Sequence, residues 1–155
     1  MADSETHTSR SVADTERFAA DLAATLVGGT CIALEGDLGA GKTQFVRGLV
    51  RGLGGDPRAV SSPTYVLLHV YGDPARPDPT AARPRLPVFH LDAYRVGGPE
   101  DLEAIGFTEL LDQGGVVVVE WASRVTDLLP PDRLEVTIEA EGETTRRITV
   151  RRRTS

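Results

Sequence analysis

The sequence predicts a three-layer α/β domain built on a mixed sheet. After an N-terminal helical run, strand-like and helical runs alternate in the order β-α-β-β-α-β-α-β-β. The continuous apolar run at 114–121 predicts a central strand that is buried on both faces. Apolar and polar residues alternate strictly over 133–152, on either side of Glu141-Gly142. This pattern predicts an antiparallel hairpin at the C-terminal end. Together these patterns indicate a sheet with both parallel and antiparallel neighbours.

The individual elements follow from local periodicity. Residues 1–10 are polar, and we expect a flexible tail. Apolar residues then recur at four-residue spacing from Ser11, which predicts a helix that Gly28-Gly29 ends. Further strands are predicted at 30–36, 64–71, 88–94 and 114–121. Further helices are predicted at 42–53, 98–112 (as two short helices) and 122–129.

Composition limits the class of protein. The 155 residues suffice for one domain, which we place at 11–155. Within it, residues 72–87 form a proline-rich loop that we expect to be a flexible connection. The net charge of −6 argues against a DNA-binding or general nucleic-acid-binding surface. The single cysteine, Cys31, cannot form an internal disulfide. No apolar run is long enough for a membrane span and the polar, acidic N-terminus is not a signal peptide, so a cytoplasmic protein is expected.

A phosphate-binding pattern, GDLGAGKT, occupies residues 36–43. It follows a predicted strand and opens a predicted helix, which is the context that a P-loop requires. The glycines let backbone N–H groups surround a phosphate, and the helix directs its positive dipole end at the same anion. The chain has sixteen arginines and one lysine, and that lysine is Lys42 in this loop, where a compact ammonium suits two phosphate groups. The expected nucleotide contacts are Asp37, Leu38, Gly39, Ala40, Gly41, Lys42 and Thr43.

The nucleotide is expected to be ATP or ADP with Mg²⁺. Guanine-specific P-loop proteins use an Asn-Lys-x-Asp reader, and this chain has no asparagine and no second lysine. Thr43 supplies a hydroxyl for the metal. Asp92 and Glu120 each close an apolar strand, and acids at the carboxyl ends of strands lie at the edge where α/β sheets bind ligands. Each acid also fits an ordinary strand-end cap when taken alone.

Four motifs, taken in order, resemble the TsaE family, the P-loop ATPases of bacterial tRNA threonylcarbamoyladenosine synthesis. The motifs are GDLGAGKT at 36–43, SPTY at 62–65, HLDAYR at 90–95 and VVEW at 118–121. The resemblance covers roughly residues 10–150 and implies a P-loop NTPase-like fold. The proline-rich loop is longer than the family pattern leads us to expect, and Ala93 and Val96 stand where leucines are usual.

The resemblance also implies roles for single residues. Thr64 is expected to act as a switch threonine, although a turn hydroxyl after Pro63 is the plainer alternative. Asp92 is expected to be the Walker B-type acid and, like Thr43, a metal ligand. Glu120 is expected to bind Mg²⁺ directly or through water and to orient the attacking water. Trp121 is expected near the nucleotide, with a pure core role as the alternative, and His90 is expected to be structural.

The implied function is a weak ATPase that works with TsaD-like and TsaB-like partners. Their product would be N6-threonylcarbamoyladenosine at A37 of tRNAs reading ANN codons, with tRNA contacted only through the complex. Two alternatives stay open from the residues alone. One is a small-molecule P-loop kinase, and the other is a nucleotide switch that does not hydrolyse ATP. The residues that contact the adenine base are not determined by the sequence; the segment around Arg10-Ser11 and the C-terminal hairpin near Arg146 are candidates.

Overall fold

The computed structural model describes residues 4–37, 39–61, 67–94 and 98–154. Among these residues one sheet has seven strands in the order β1-β7-β6-β2-β5-β4-β3. The strands are β1 (Ser4–Ser9), β2 (Cys31–Glu35), β3 (Leu68–Tyr71), β4 (Val88–Asp92), β5 (Val116–Glu120), β6 (Arg133–Ala140) and β7 (Arg146–Arg153). The helices are α1 (Val12–Ala23), α2 (Lys42–Gly52), α3 (Pro99–Ala104) and α4 (Phe107–Leu111), with 3-10 helices at Pro57–Ala59 and Ala122–Leu128.

The predicted three-layer α/β architecture with a mixed sheet is confirmed. β2 pairs in parallel with β5 and β6, and β4 pairs in parallel with β5. The pairs β1–β7, β6–β7 and β3–β4 are antiparallel, so the C-terminal hairpin forms as predicted. All five residues of β5 are buried, as a central strand requires.

The core has two halves, one on each face of the sheet. Alternating residues of β5 point to opposite faces, so that Val116 and Val118 pack under α1 and α2. Val117 and Val119 pack under α3, α4 and the second 3-10 helix. The odd-even alternation also places His90, Asp92 and Glu120 on the α2 side of the sheet, because each lies an even number of residues from Val88 or Val116.

Residues 1–10 were expected to form a flexible tail, and this was wrong for Ser4–Ser9, which form β1. The strand pairs with β7 from Ser4↔Arg151 to Ser9↔Arg146. The His7 ring stacks on Phe18 with 4.7 Å between centroids, and the buried Ser9 hydroxyl lies 2.6 Å from the hydroxyl of Thr15. The sequence has no apolar alternation here because β1 is an edge strand whose pairing comes from the backbone.

Two further expectations need correction. α1 ends at Ala23, five residues before Gly28, and turns fill the interval. Its predicted start is confirmed, since the Ser11 side chain accepts a hydrogen bond from the Asp14 amide. The strand predicted at 64–71 is observed only at Leu68–Tyr71, and residues 64–66 lie outside the described part of the chain.

The proline-rich loop is anchored at its C-terminal end, which the expectation of a flexible connection missed. Pro84 is buried against Gly55 and Gly72. The Arg85 amide donates to the Leu53 carbonyl at 2.6 Å, and its guanidinium donates to the carbonyls of Ala23 and Leu26 at 3.2 Å each. Arg85 thus ties the end of the loop to the turn that follows α1, where the Ala23 carbonyl also accepts from the Leu26 amide at 3.1 Å. A cavity of about 870 Å³ lies beneath the rest of the loop, along β3.

Helices α1 and α2 approach so closely that α2 needs glycine at the contact. A Cβ on Gly48 would lie 2.3 Å from the Glu16 carbonyl oxygen, and one on Gly52 would lie 2.5 Å from the Ala20 carbonyl oxygen. This contact fixes the position of α2, whose first turn carries Lys42. Among the described residues no helix combines the length and apolar character of a membrane span.

We expect Gly48→Ala to lower the free energy of unfolding by about 1–3 kcal/mol, because the added methyl has backbone rather than a flexible side chain in its way. Helix propensity alone predicts the opposite, a gain of about 1 kcal/mol. Urea unfolding followed by circular dichroism measures the change. Gly142→Ala is the control, since a Cβ there meets nothing closer than 3.9 Å, and a stabilised Gly48→Ala protein would contradict the prediction.

Candidate functional site

The P-loop lies between β2 and α2, as its pattern predicted. β2 ends at Glu35, and α2 begins at Lys42 with Gly41 as its N-cap at φ +111°. Gly39 also has a positive φ, +80°, so the loop uses two left-handed positions that favour glycine. A Cβ on Gly36 would lie 2.8 Å from the Ile138 carbonyl oxygen, so this glycine lets the loop pass close to β6.

The Lys42 side chain is the centre of the site. It is buried, and its Nζ atom has no hydrogen-bond partner among the described residues. Nζ lies 3.7 Å from Glu120 Oε1 and 4.0 Å from the centroid of the Trp121 ring. The carboxylate and the aromatic face both stabilise a positive charge, but neither fills the three donor positions of the ammonium group. A buried ammonium with free donors is suited to binding an anion.

Two buried carboxylates lie side by side at the carboxyl edge of the sheet. Asp92 and Glu120 are register partners in the parallel pair β4–β5, and each is 3% exposed. Asp92 Oδ1 accepts a hydrogen bond from the Tyr94 amide at 2.8 Å. β5 lies between β4 and β2, so the Glu120 carboxylate stands between Asp92 and the start of the P-loop. The prediction that the strand-end acids share one edge is therefore confirmed by their register.

Trp121 turns the chain sharply after β5. Its φ of +58° is the one positive value among the described non-glycine residues, a conformation that costs on the order of 1–3 kcal/mol. The turn is held by a hydrogen bond from the Trp121 amide to the Leu34 carbonyl at 3.2 Å. As a result the indole ring covers Lys42 and packs on Tyr94, with 5.0 Å between ring centroids. Trp121 thus contacts both the P-loop lysine and the apolar cluster around α3 and α4.

Arg146 braces the P-loop from the C-terminal hairpin. Its Nε donates to the Ala40 carbonyl at 2.9 Å and one Nη to the Gly39 carbonyl at 3.3 Å. The other Nη donates to three carbonyls of the β6–β7 turn, those of Gly142, Glu143 and Thr145. These bonds hold the carbonyl groups of Gly39 and Ala40 in place. The Ala40 amide itself donates to the Asp37 carbonyl at 3.0 Å, so this part of the loop is a hydrogen-bonded turn.

A cavity of about 280 Å³ opens beside the P-loop, on the side of α1. Its walls come from the start of α1, from the loop and first turn of α2, and from the β6–β7 turn. The lining residues are Arg10, Ser11, Val12, Thr15, Gly39, Gly41, Gln44, Glu143, Thr144 and Arg146. The two regions that the sequence offered for base contacts therefore meet at one cavity. A second cavity, of about 440 Å³, lies between the loop, Trp121 and β6.

The family model described as "Threonylcarbamoyl adenosine biosynthesis protein TsaE" matches residues 9–148. The chain belongs to the TsaE family. The TsaE protein of Bacillus subtilis (strain 168), a tRNA threonylcarbamoyladenosine biosynthesis protein, is 38% identical over 136 residues, which are 88% of this chain and 78% of the relative. The protein of the same name from Treponema pallidum (strain Nichols) is 37% identical over 142 residues, 92% of this chain and 96% of the relative.

A solved structure agrees with the family. The crystal structure of YdiB from Bacillus subtilis superposes with a TM-score of 0.75 at 29% sequence identity, covering all of this chain and 88% of that one. The resemblance that four short motifs indicated is therefore confirmed over nearly the whole chain, and the fold is P-loop NTPase-like, as the family implies.

Most of the residues predicted from the P-loop pattern and from the TsaE resemblance converge on this site. Lys42, Glu120 and Trp121 contact one another, and Asp92 is the strand neighbour of Glu120. The loop residues Asp37, Gly39, Ala40 and Gly41 and the half-buried Thr43 lie along the P-loop and the first turn of α2. Leu38 and Thr64 lie outside the described residues, so their predicted roles stay predictions.

Sequence reasoning missed Tyr71 and assigned His90 and Arg146 less than their contacts show. Tyr71 was treated only as part of a strand, and His90 was expected to be structural, yet both belong to a hydrogen-bonded chain that reaches Glu120. Arg146 was only a candidate base contact, whereas it holds the P-loop. An available signal was the polar residue His90 inside an otherwise apolar strand, two positions before Asp92 and on the same face.

We expect Arg146→Lys to destabilise the protein by about 1–2 kcal/mol, because lysine cannot replace the several carbonyl contacts of the guanidinium fork. Hydrogen–deuterium exchange should increase at the amides of Gly39, Ala40 and Gly41, which lose their brace. Arg151→Lys, at an exposed arginine of the same strand, is the control. Unchanged protection of the loop amides in Arg146→Lys would show that the brace has no effect.

Proposed function

We propose that this chain is an ATP-binding, weakly ATP-hydrolysing subunit of the machinery that forms N6-threonylcarbamoyladenosine at A37 of tRNAs reading ANN codons. The observation that carries the proposal is the buried Lys42 ammonium, which has free donors at a P-loop and faces a strand-end carboxylate. Membership of the TsaE family supports the tRNA-modification context, since the relatives are named for threonylcarbamoyladenosine biosynthesis.

In this proposal the triphosphate binds along the P-loop. The loop N–H groups and the N-terminus of α2 surround the β-phosphate, and Lys42 turns from Glu120 toward the phosphates. The cavity next to Arg10, Ser11 and Arg146 receives the adenine and ribose, because it opens directly onto Gly39 and Gly41. The absence of an asparagine-based guanine reader favours adenine.

Mg²⁺ fits the oxygen donors at the site. The hydroxyl of Thr43 and the carboxylates of Asp92 and Glu120 would hold it, and these hard ligands suit that ion. Within the described ranges no group of three or more His, Cys, Asp or Glu side chains could hold a metal without help, so phosphate oxygens would complete the ligand set. The metal would neutralise charge that develops on the phosphate oxygens.

Three residues are assigned to the chemical step. Glu120 orients the attacking water, since its carboxylate is buried, fixed on one oxygen and directed at Lys42 on the other. Asp92 acts as the Walker B-type acid beside it. Thr64 is proposed as the switch threonine that senses the γ-phosphate or the metal. The burial of both acids supports these roles because a carboxylate excluded from water acts more strongly on a nearby ion.

We propose that this chain hydrolyses ATP as a subunit of a complex with TsaD-like and TsaB-like proteins. The chain carries a net charge of −6, which disfavours direct tRNA binding, so contact with tRNA is assigned to the complex. A kinase acting on a small metabolite, or a nucleotide switch without hydrolysis, would use the same P-loop. The experiments below distinguish these three functions.

Lys42→Ala should abolish partner-stimulated phosphate release, and Glu120→Gln should lower it about 100-fold while nucleotide affinity stays within about threefold. The reason is that Lys42 holds the phosphates in all states, whereas Glu120 acts on the reacting water. Trp121 is the single tryptophan and lies against Lys42, so its fluorescence reports nucleotide binding in the same samples.

Glu139→Gln, an exposed acid on β6, serves as the matched control for removal of a carboxylate. Full hydrolysis by Lys42→Ala in the presence of partners would refute the P-loop assignment. Rapid phosphorylation of a metabolite, with little phosphate release, would favour the kinase. Tight ATP binding without turnover under any condition would favour the switch.

Pull-down assays should recover TsaB-like and TsaD-like proteins with this chain, and ATP and ADP should differ in the amount recovered. A nucleotide that orders the P-loop and its surroundings changes any partner surface built on them. Immobilised wild-type protein is compared with Lys42→Ala under each nucleotide. Failure to recover either partner with any nucleotide would refute the proposed complex.

A further inference from the structure

A chain of buried hydrogen bonds runs from β3 through β4 to Glu120. His90 is fully buried, and its Nε2 lies 2.5 Å from Glu120 Oε2. On the other side of the ring, His90 Nδ1 lies 3.1 Å from the Tyr71 hydroxyl. The Tyr71 hydroxyl also lies 3.3 Å from the Ser61 carbonyl and 3.2 Å from His69 Nδ1. No step of the proposed nucleotide chemistry uses Tyr71, His69 or His90.

The direction of the bond to Glu120 follows from the chemistry of its acceptor. An ionised carboxylate only accepts, so the bond requires the His90 tautomer that carries a proton on Nε2. The bond occupies Oε2 and leaves Oε1, the oxygen that faces Lys42, free for other contacts. The two oxygens of one carboxylate thus have separate partners on separate sides. Rotation of the carboxyl group would break the short bond to the histidine.

Tyr71 holds the far side of the imidazole ring. Burial raises the pKa of the Tyr71 phenol to about 12, so the hydroxyl keeps its proton at neutral pH. When Nε2 of His90 carries the ring proton, Nδ1 accepts, and the single proton of the Tyr71 hydroxyl is donated to it. The Ser61 carbonyl at 3.3 Å and His69 Nδ1 at 3.2 Å then lie against the same hydroxyl as neighbours. The packing of Tyr71 in the α1–α2 side of the core immobilises the phenol ring itself.

We propose that Tyr71 and His90 are positioning residues that hold the Glu120 carboxylate with Oε1 directed into the P-loop site. This inference rests on the proposed ATPase function and deepens it. Glutamate has three rotatable side-chain bonds, so without such support its carboxylate would sample several orientations. A histidine that fixes a ligating or water-orienting carboxylate acts as its outer shell, and removal of such partners costs about 10–100-fold in activity.

The test uses the full chain with its partner proteins and measures kcat, KM and nucleotide affinity. His90→Ala should lower kcat about 10–100-fold with affinity within about threefold, and Tyr71→Phe should lower kcat by a smaller factor of about 2–5. His90→Gln should recover part of the loss, because its amide nitrogen can donate from near the Nε2 position. His7→Gln, at a histidine that stacks on Phe18, is the control.

A double-mutant cycle separates positioning from a merely structural effect. If His90 acts through Glu120, then His90→Gln adds little to the loss of kcat already caused by Glu120→Gln. Additive losses, or a kcat in His90→Ala equal to that of the wild type, would overturn the proposal. Thermal unfolding of every variant identifies those that do not fold, and the milder His90→Gln and Tyr71→Phe variants keep the cycle interpretable.

A spectroscopic measurement tests the same bonds without turnover. With nitrogen-15 in the histidines, the nucleotide-free protein should show one imidazole N–H proton that resonates far downfield and exchanges slowly with water. The signal should vanish in His90→Gln and shift in both Glu120→Gln and Tyr71→Phe. No protected imidazole proton would overturn the proposal even if the wild type hydrolyses ATP. Conversely, the signal together with a wild type that never hydrolyses ATP would overturn the proposed function and leave Glu120 positioned for binding alone.

Discussion

The structure of the site depends on a buried ammonium group that is paired but not hydrogen-bonded. At 3.7 Å, Lys42 and Glu120 attract each other by about 4 kcal/mol at an effective dielectric constant of about 20, and desolvation of both groups opposes this gain. The Trp121 ring adds a second favourable contact from the other side. The N–H donors of this ammonium group have no hydrogen-bond acceptors among the described residues. An anion with several oxygens satisfies it better than a single carboxylate does.

The surrounding fold keeps this arrangement in place. Strand order sets β5 between β2 and β4, so that Glu120, Asp92 and the P-loop share one edge of the sheet. Close packing of α1 on Gly48 and Gly52 sets the position of α2 and hence of Lys42. From the opposite side, Arg146 fixes the loop carbonyls. The loop is thus held in place by elements that are distant in the chain.

Burial strengthens the electrostatic effect of Asp92, Glu120 and Lys42 on a nearby ion. It also requires polar residues next to the two carboxylates, because a buried charge needs hydrogen-bond partners. A carboxylate at 3% exposure needs partners for its oxygens, and His90 supplies one to Glu120 while the Tyr94 amide supplies one to Asp92. His90 is itself fully buried and needs a partner for Nδ1, which Tyr71 provides. Burial of one polar group thus requires a polar neighbour for the next, as far as the Tyr71 hydroxyl, which also lies 3.3 Å from the Ser61 carbonyl.

The sequence by itself determined the elements whose signals are local. Glycine spacing and a lone lysine identified the P-loop, the continuous apolar run identified β5 as central, and strict alternation identified the β6–β7 hairpin. Acids at strand ends identified Asp92 and Glu120, because the carboxyl ends of parallel strands meet at one edge. The motifs, read together, identified the TsaE family.

Only the tertiary structure decided the rest, because the deciding contacts join residues far apart in the chain. β1 is polar and was expected to be a tail; it is a strand because β7 offers it an unpaired edge. Beyond the end of α1, the guanidinium of Arg85, 62 residues away from Ala23, donates to the carbonyls of Ala23 and Leu26. The roles of Tyr71, His90 and Arg146 likewise arise from long-range hydrogen bonds, and these leave no periodic trace in the sequence.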